Sequence, residues 1–208
     1  MQITVFGASG KVGRLVVAAL SAQGHSVVAF IHHSNPFQDD ATVRTVSGDI
    51  YNASTVENAV HGSDAVISTL GSWGTPTKSV VGAGTELIVA AMKKNQILRL
   101  ITLTGGGALT STDRPGLSDR LTRRLLEVVA PKILSDGERH IRILEGSDLD
   151  WTCIRSPAMT GKGGSAYILN MKLPSLFALI PRAAVVACIV DQINEQAFIG
   201  QAPVIHHV

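Results

Sequence analysis

Gly7, Gly10 and Gly13 recur at every third position directly after a short apolar run, Gln2–Phe6, and at the head of a helical pattern. That placement suits the binding of a pyrophosphate. The first glycine permits a tight turn, the second lets the backbone approach the phosphates, and the third lets the helix pack closely on the sheet. Free N–H groups of the first helical turn, including those of Lys11 and Val12, then meet the negative charge, and the helix dipole adds to them. Ser9 and Lys11 supply a hydroxyl and a positive charge nearby. The plainer alternative is a strand-to-helix turn that merely tolerates glycine. The buried strand before the loop and the amphipathic helix after it favour dinucleotide binding.

A site that prefers NAD places Asp or Glu at the end of the second strand, about 20 residues beyond the loop, on the ribose 2′-hydroxyl. Here that point reads Phe30-Ile31-His32-His33-Ser34-Asn35, and no acid follows until Asp39. A carboxylate would repel a 2′-phosphate, so its absence admits NADP, with His32, Ser34 and Asn35 as hydrogen-bonding partners. NADP is the expected cofactor and NAD the lesser alternative. A neutral imidazole is a weaker anion ligand than a guanidinium. Two solvent-exposed loop histidines are the other reading of His32 and His33.

The elements that must hold these residues alternate strand and helix. Gln2–Phe6 and Ser26–Ile31 read as apolar strands buried in a parallel sheet. Between them Val12, Leu15, Val16, Ala19 and Leu20 form one helical stripe, ended by Gly24. A third strand is expected over Thr42–Gly48, then a helix over Ser54–Val60 capped by Asn52 or Ser54. A strand over Ala65–Leu70, a long helix over Lys78–Asn95 and a strand over Leu98–Thr104 follow. Leu117–Glu145 is helical with a break at Pro131, and Asp150–Ser156 is the sixth strand. Pro181 opens a last helix as its N1 residue, running to about Asn194. Ala202–Val208 closes the chain as an edge strand. Alternating βα units predict an α/β fold with one doubly wound parallel sheet, the Rossmann arrangement. It forms a single domain over 1–208 with a short carboxyl-terminal extension, and its ligands lie at the carboxyl ends of the strands.

Composition narrows the partners. At 45% hydrophobic and 16% charged, the 208 residues can bury a full core and are not a disordered chain. The balance of 18 basic against 16 acidic side chains gives no reason to expect nucleic acid or a membrane. The basic cluster Arg114–Arg124, mixed with Asp113 and Asp119, reads as a solvated helix face, with a polyanion site as the lesser alternative. Cys153 and Cys188 sit in apolar runs, as free thiols of a reducing compartment do. Tyr167–Val190 is too interrupted by Lys172, Pro174, Pro181 and Arg182 to span a bilayer, and no leader precedes the first strand. A cytoplasmic protein is expected. No metal is expected either: His32–His33 and His206–His207 are sequence neighbours whose side chains diverge, without carboxylates or cysteines at ligand spacing.

The GxxGxxG spacing does not stand alone. Gly48–Asp49, Ser68–Gly71 (STLG), Thr102–Gly106 (TLTGG) and Ile154–Met159 (IRSPAM) follow the third to sixth strands in turn. In that order, over almost the whole chain, they resemble the atypical short-chain dehydrogenase/reductase superfamily. Within it the chain is most similar to the small NmrA-like, NAD(P)H-binding group of the flavin reductase or biliverdin-IXβ reductase type. The resemblance implies that Asp49 and Ile50 flank the adenine and that Leu70 and Gly71 line the ribose and phosphate path. It puts Thr104 and Gly105 under the nicotinamide, Pro157, Ala158 and Met159 over it, and His32 where that type has an arginine. For Pro157 an ordinary strand-ending proline is the equal alternative.

One departure bears on the chemistry. Typical members of the superfamily carry a Tyr-xxx-Lys pair on the helix after the fifth strand, the lysine lowering the tyrosine pKa for proton exchange with a hydroxyl. Four residues beyond Tyr51 and Tyr167 stand Thr55 and Met171, and the register from Trp151 puts Glu138 and Arg142 in the pair's places. This argues against alcohol or sugar-nucleotide chemistry. It suits hydride transfer to a flat conjugated small molecule, a flavin or quinone, with the proton taken from solvent. Thr104 and His140 are the candidate catalytic helpers, each with a plainer alternative, a β-branched strand residue and a surface histidine. Trp73 is expected to stack on the acceptor or to pack within its own loop. Gly105–Gly116, with Gly105 and Gly106 at the substrate, is expected to be a long flexible cover. The other class of function is a non-enzymatic NAD(P) redox sensor acting through a protein partner.

Overall fold

The apolar runs pair in parallel because both of their faces are buried. β1 (Gln2–Phe6) lies between β2 (Ser26–Ile31) and β4 (Ala65–Ser68), with Ile3 opposite both Val27 and Ala65. The computed structural model describes residues 1–208. β3 (Val43–Ser47) extends the sheet beyond β2, and β5 (Arg99–Gly105) and β6 (Asp150–Ser156) extend it beyond β4. β8 (Tyr167–Asn170) and β10 (Val204–His207) complete the order β3-β2-β1-β4-β5-β6-β10-β8. The chain thus builds outward from β1 in both directions, and β1 borders the switch point where ligands bind in such sheets.

Side chains alternate between the faces. Ile3 and Val5 join a core under α1 (Lys11–Ala22) and α6 (Arg182–Asp191). Phe6 joins the other, under α2 (Ala53–Val60), α3 (Val80–Lys94) and α5 (Pro131–Glu145). Asn52 caps α2, its side chain accepting from the N–H groups of Ser54 and Thr55 at 3.0 and 3.3 Å. Pro131 is the first residue of α5 and separates it from α4 (Leu117–Val129).

Three expectations need correction. The buried face of α1 is Gly13, Val16, Val17 and Leu20, while Leu15 is 46% exposed. The buried face starts one residue later because Gly13 packs tightly on the loop at Gly7 and Ala8. Pro181 is not N1 of α6: its ψ of 135° is extended, so it ends β9 (Leu179–Pro181) and stands outside the helix, which stops at Asp191. β9 pairs in parallel with β7 (Ala158–Thr160) in a second small sheet. β10 is not an edge strand: it runs parallel to β6 and antiparallel to β8, with Ile205 opposite Leu169. The edge is β8, a strand of four residues just after the glycine-rich stretch 161–164 and too short to announce itself by periodicity. No helix is long and apolar enough to cross a membrane.

Candidate functional site

Gly7 follows β1 at φ +72°, a conformation L side chains rarely adopt. A Cβ on Gly7 would stand 2.8 Å from the carbonyl of Thr69, so the exit of β4 runs against this loop. A Cβ on Gly13 would lie 2.2 Å from the Gly7 oxygen, which leaves the helix no room for any other residue. Gly10 differs. It is exposed, and an added Cβ would meet only the Gly7 oxygen, at 3.1 Å. No side chain caps α1 at Gly10 and no acid stands in its first turn. The N–H groups of Lys11, Val12 and Gly13 therefore have no partner within the helix. Lys11 is exposed beside them, and Ser9 and Val12 are half-buried. This donor set, with open space over Gly10, fits a pyrophosphate.

At the far end of β2, the rings of His32 and His33 lie 3.8 Å apart, so the two side chains stack instead of diverging. The chain leaves the strand at Ile31, and strand alternation no longer holds. Both histidines are exposed. The nearest carboxylate is Asp49, whose Oδ2 is 4.0 Å from His32 Nε2. It comes from the loop after β3 and not from β2. Ile50 is buried and converges with Leu70 on Gly84 of α3.

Beside the glycine loop, a cavity of about 520 Å³ opens at the carboxyl ends of β4, β5 and β6. Leu70, Gly71 and Trp73 border it from β4, Thr104, Gly105 and Gly106 from β5, and Pro157, Ala158 and Met159 follow β6. Trp73 stands at the rim, 68% exposed. The Thr104 hydroxyl is not taken up by any protein group. Gly137 of α5 makes room for it, since a Cβ there would come within 3.0 Å of Thr104 Oγ1.

The helix expected to supply a proton donor presents other residues. Ile133, Leu134, Asp136 and Gly137 face the cavity. Glu138 turns to α4, its carboxylate 2.5 Å from Arg123 Nη1, a bond that raises the guanidinium pKa further above its ordinary value. Arg142 is exposed. Neither lines the cavity. The buried face of α5, read at helical period as Asp136-Gly137-His140-Ile141-Leu144, carried the signal.

Asp136 is the functional group that sequence reasoning missed. Its carboxylate accepts from the Ser72 hydroxyl at 2.5 Å, from Val81 N–H at 3.1 Å and from Gly82 N–H at 2.9 Å. It caps α3 from a neighbouring helix and is fully engaged. His140 is neither a surface residue nor a cavity residue. It is wholly buried below the cavity wall, Nε2 2.9 Å from Thr102 Oγ1 and 3.9 Å from Cys153 Sγ. Burial pushes its pKa down to about 4 and pushes the Cys153 thiol up to about 11.

The cover over the cavity is tied down, which corrects its reading as a flexible loop. Asp113 forms a paired contact with the buried Arg155 of β6, whose Nε and Nη1 also donate to the carbonyls of Ala202 and Ala108 at 2.7 and 3.1 Å. Ser111 is bound through its N–H and hydroxyl to Glu145 of α5, at 3.0 and 2.9 Å. Behind Gly106, whose N–H donates to Ser156 O at 2.7 Å, the loop Leu173–Ala178 closes the other side.

A doubly wound sheet with an uncapped glycine-loop helix at its switch point is the architecture of a Rossmann-type dinucleotide-binding protein. The chain belongs to the NAD(P)H-binding family, whose model matches residues 7–196. Among curated relatives, the isoflavone reductase homolog IRL of Zea mays is 39% identical over 82 residues. That match covers 34% of this chain and only 26% of the maize protein. Among solved structures, ChuY, an anaerobillin reductase from Escherichia coli O157:H7, superposes with a TM-score of 0.81 at 22% identity, covering 99% of this chain and 97% of its own. A short-chain dehydrogenase/reductase from Veillonella parvula in complex with NADP gives 0.78 at 20% identity, covering 99% and 94%. Both likenesses concern the fold.

Proposed function

We propose that the chain is a reductase that passes hydride from NADPH to a flat, conjugated small molecule such as a flavin or quinone. The observation that carries this is the cavity wall. It is predominantly apolar, holds no Tyr, Lys, His or Cys, and its carboxylates Asp136 and Asp119 are already engaged, by Ser72 and α3 and by Gly116 N–H. When bound, reduced nicotinamide supplies the hydride. The first turn of α1 holds the pyrophosphate, the free Thr104 hydroxyl orients the carboxamide or the acceptor, and Pro157 and Met159 keep water from the reacting face. No cavity residue offers an acidic proton to a developing alkoxide, since the free Thr104 hydroxyl is too weak an acid. A flavin or quinone spreads the incoming charge over its own ring and takes its proton from solvent.

NADP is preferred because the acid that would bind a 2′-hydroxyl is missing from the end of β2 and His32 and His33 stand there instead. The NADP complex of the Veillonella protein and the reductase activity named for ChuY support the same reading. The test is NADPH oxidation with FMN or menadione added, set against simple alcohols and sugar nucleotides. Turnover is expected only with the conjugated acceptors. Efficient use of an alcohol would overturn the reading, and tight NADPH binding with no turnover of any acceptor would assign the chain to redox sensing.

A further inference from the structure

The helix α4 has no buried residue. One face, with Thr122, Arg123 and Leu126, borders the cavity. The opposite face aligns Leu117, Leu121, Leu125 and Val128 at i, i+4, i+8 and i+11, a single outward stripe. Their exposures are 85%, 71%, 46% and 80%. Monomeric soluble proteins seldom leave such a contiguous apolar strip in water. Phe177, 87% exposed, projects from the loop that closes the same cavity.

The charge around the stripe is of one sign. Between Arg114 and Lys132 there are five basic and two acidic side chains. Both acids are engaged, Asp119 with Gly116 N–H at 2.9 Å and Glu127 with Arg123 at 2.9 Å. Arg114, Arg120, Arg124 and Lys132 are exposed and meet no carboxylate. At 100° per residue, Arg120 and Arg124 fall along one border of the stripe.

We propose that α4 docks the protein on an anionic lipid surface, the leucine stripe entering the boundary between headgroups and acyl chains and the arginines meeting lipid phosphates. A short amphipathic helix with a basic flank and exposed leucines has the chemistry of an interfacial helix. A second copy is the less suited occupant. Two stripes packed together would gather the arginines of both chains with no free carboxylate between them. The docking is independent of which acceptor the cavity takes, so its failure and that of the proposed activity are read separately.

The test is flotation of the full chain with phosphatidylcholine vesicles, with and without phosphatidylglycerol, at low and high salt. Binding is expected only with phosphatidylglycerol and at low salt, because surface attraction falls off within a Debye length. Arg120→Glu with Arg124→Glu should weaken it by more than about tenfold, since each basic residue near the surface contributes on the order of a factor of five. Leu121→Ser with Val128→Ser should weaken it as much, with NADPH affinity and melting temperature unchanged in both variants. Absence of binding at low salt overturns the proposal. So does binding that the serine variant leaves intact, which would be charge alone. A dimer in sedimentation that the serine variant dissolves, with vesicles ignored, would give the stripe to a second copy.

Discussion

Replacing Gly10 by valine separates the binding role of the glycine loop from its packing role. At φ −72° and ψ 168° the position accepts an L residue, and a Cβ meets only the Gly7 oxygen at 3.1 Å. The branched methyls fill the space before the N–H groups of the first turn. With about two charge-assisted hydrogen bonds lost at about 1.5–3 kcal/mol each, NADPH affinity should fall by roughly two to four orders of magnitude. Stability should fall by only about 1 kcal/mol, the cost of a poor N-cap residue. Gly13→Ala has the opposite profile. Its Cβ at 2.2 Å from a backbone oxygen cannot be relieved by a side-chain rotation, so α1 must lift from the sheet at a cost of about 1–3 kcal/mol or more. For a domain of this size each kcal/mol lowers the melting temperature by about 2–4 °C. NADPH titration by fluorescence and thermal melts of both variants give the four values needed. If Gly10→Val binds NADPH within about threefold of the wild type while melting normally, the pyrophosphate does not lie on this helix.

His32→Ala should weaken NADPH but not NADH by about tenfold, leaving Asp49 facing the 2′-phosphate without its neighbour; equal titrations with both cofactors would remove His32 from the site. Thr104→Val should slow turnover by about three- to tenfold at unchanged NADPH affinity, and a thousandfold loss in steady-state rate would show Thr104 to be an essential acid. His140 is held neutral by burial, with its pKa moved from 6.5 to about 4. The unfolded chain binds the proton more readily, so this contribution is complete above pH 6.5 and is lost as pH falls from 6.5 to 4, by about 3 kcal/mol in all. Urea unfolding across that range should show it, and His140→Gln should flatten it. Asp113→Ala leaves the buried Arg155 without its carboxylate and should cost about 3–5 kcal/mol, with faster hydrogen exchange at the amides of Gly107–Ser111; unchanged exchange would show that the pair does not hold the cover.

The alternation of strand and helix was legible because buried parallel strands are continuous apolar runs, as at Ser26–Ile31, and because glycines at fixed spacing mark one kind of turn. Local signals also set the caps, as Asn52 shows. What lay outside the sequence depends on pairing between distant segments. Asp136 looks like any helical acid until α3 is brought to it from more than fifty residues away. Arg155 reads as a charge in a strand until Asp113 is folded over it. His140 looked exposed because nothing local says which face of α5 meets the sheet, and the turn of Glu138 toward α4 was hidden for the same reason. β8 was missed because four residues carry too little alternation to stand out, and its absence made β10 look like an edge.

Of the helices that begin at the carboxyl edge of the sheet, α1 and α3 adjoin the glycine loop and the cavity, each with the partial positive charge of aligned peptide dipoles. Only one is left open. Asp136 and Ser72 quench the α3 terminus from within, while the α1 terminus meets neither acid nor cap. The field along the cleft is therefore lopsided, attractive to anions at the Gly10 end and nearly flat where the acceptor enters. Such a gradient would favour a single orientation for the dinucleotide of the proposed function, phosphates toward α1 and ring toward Thr104.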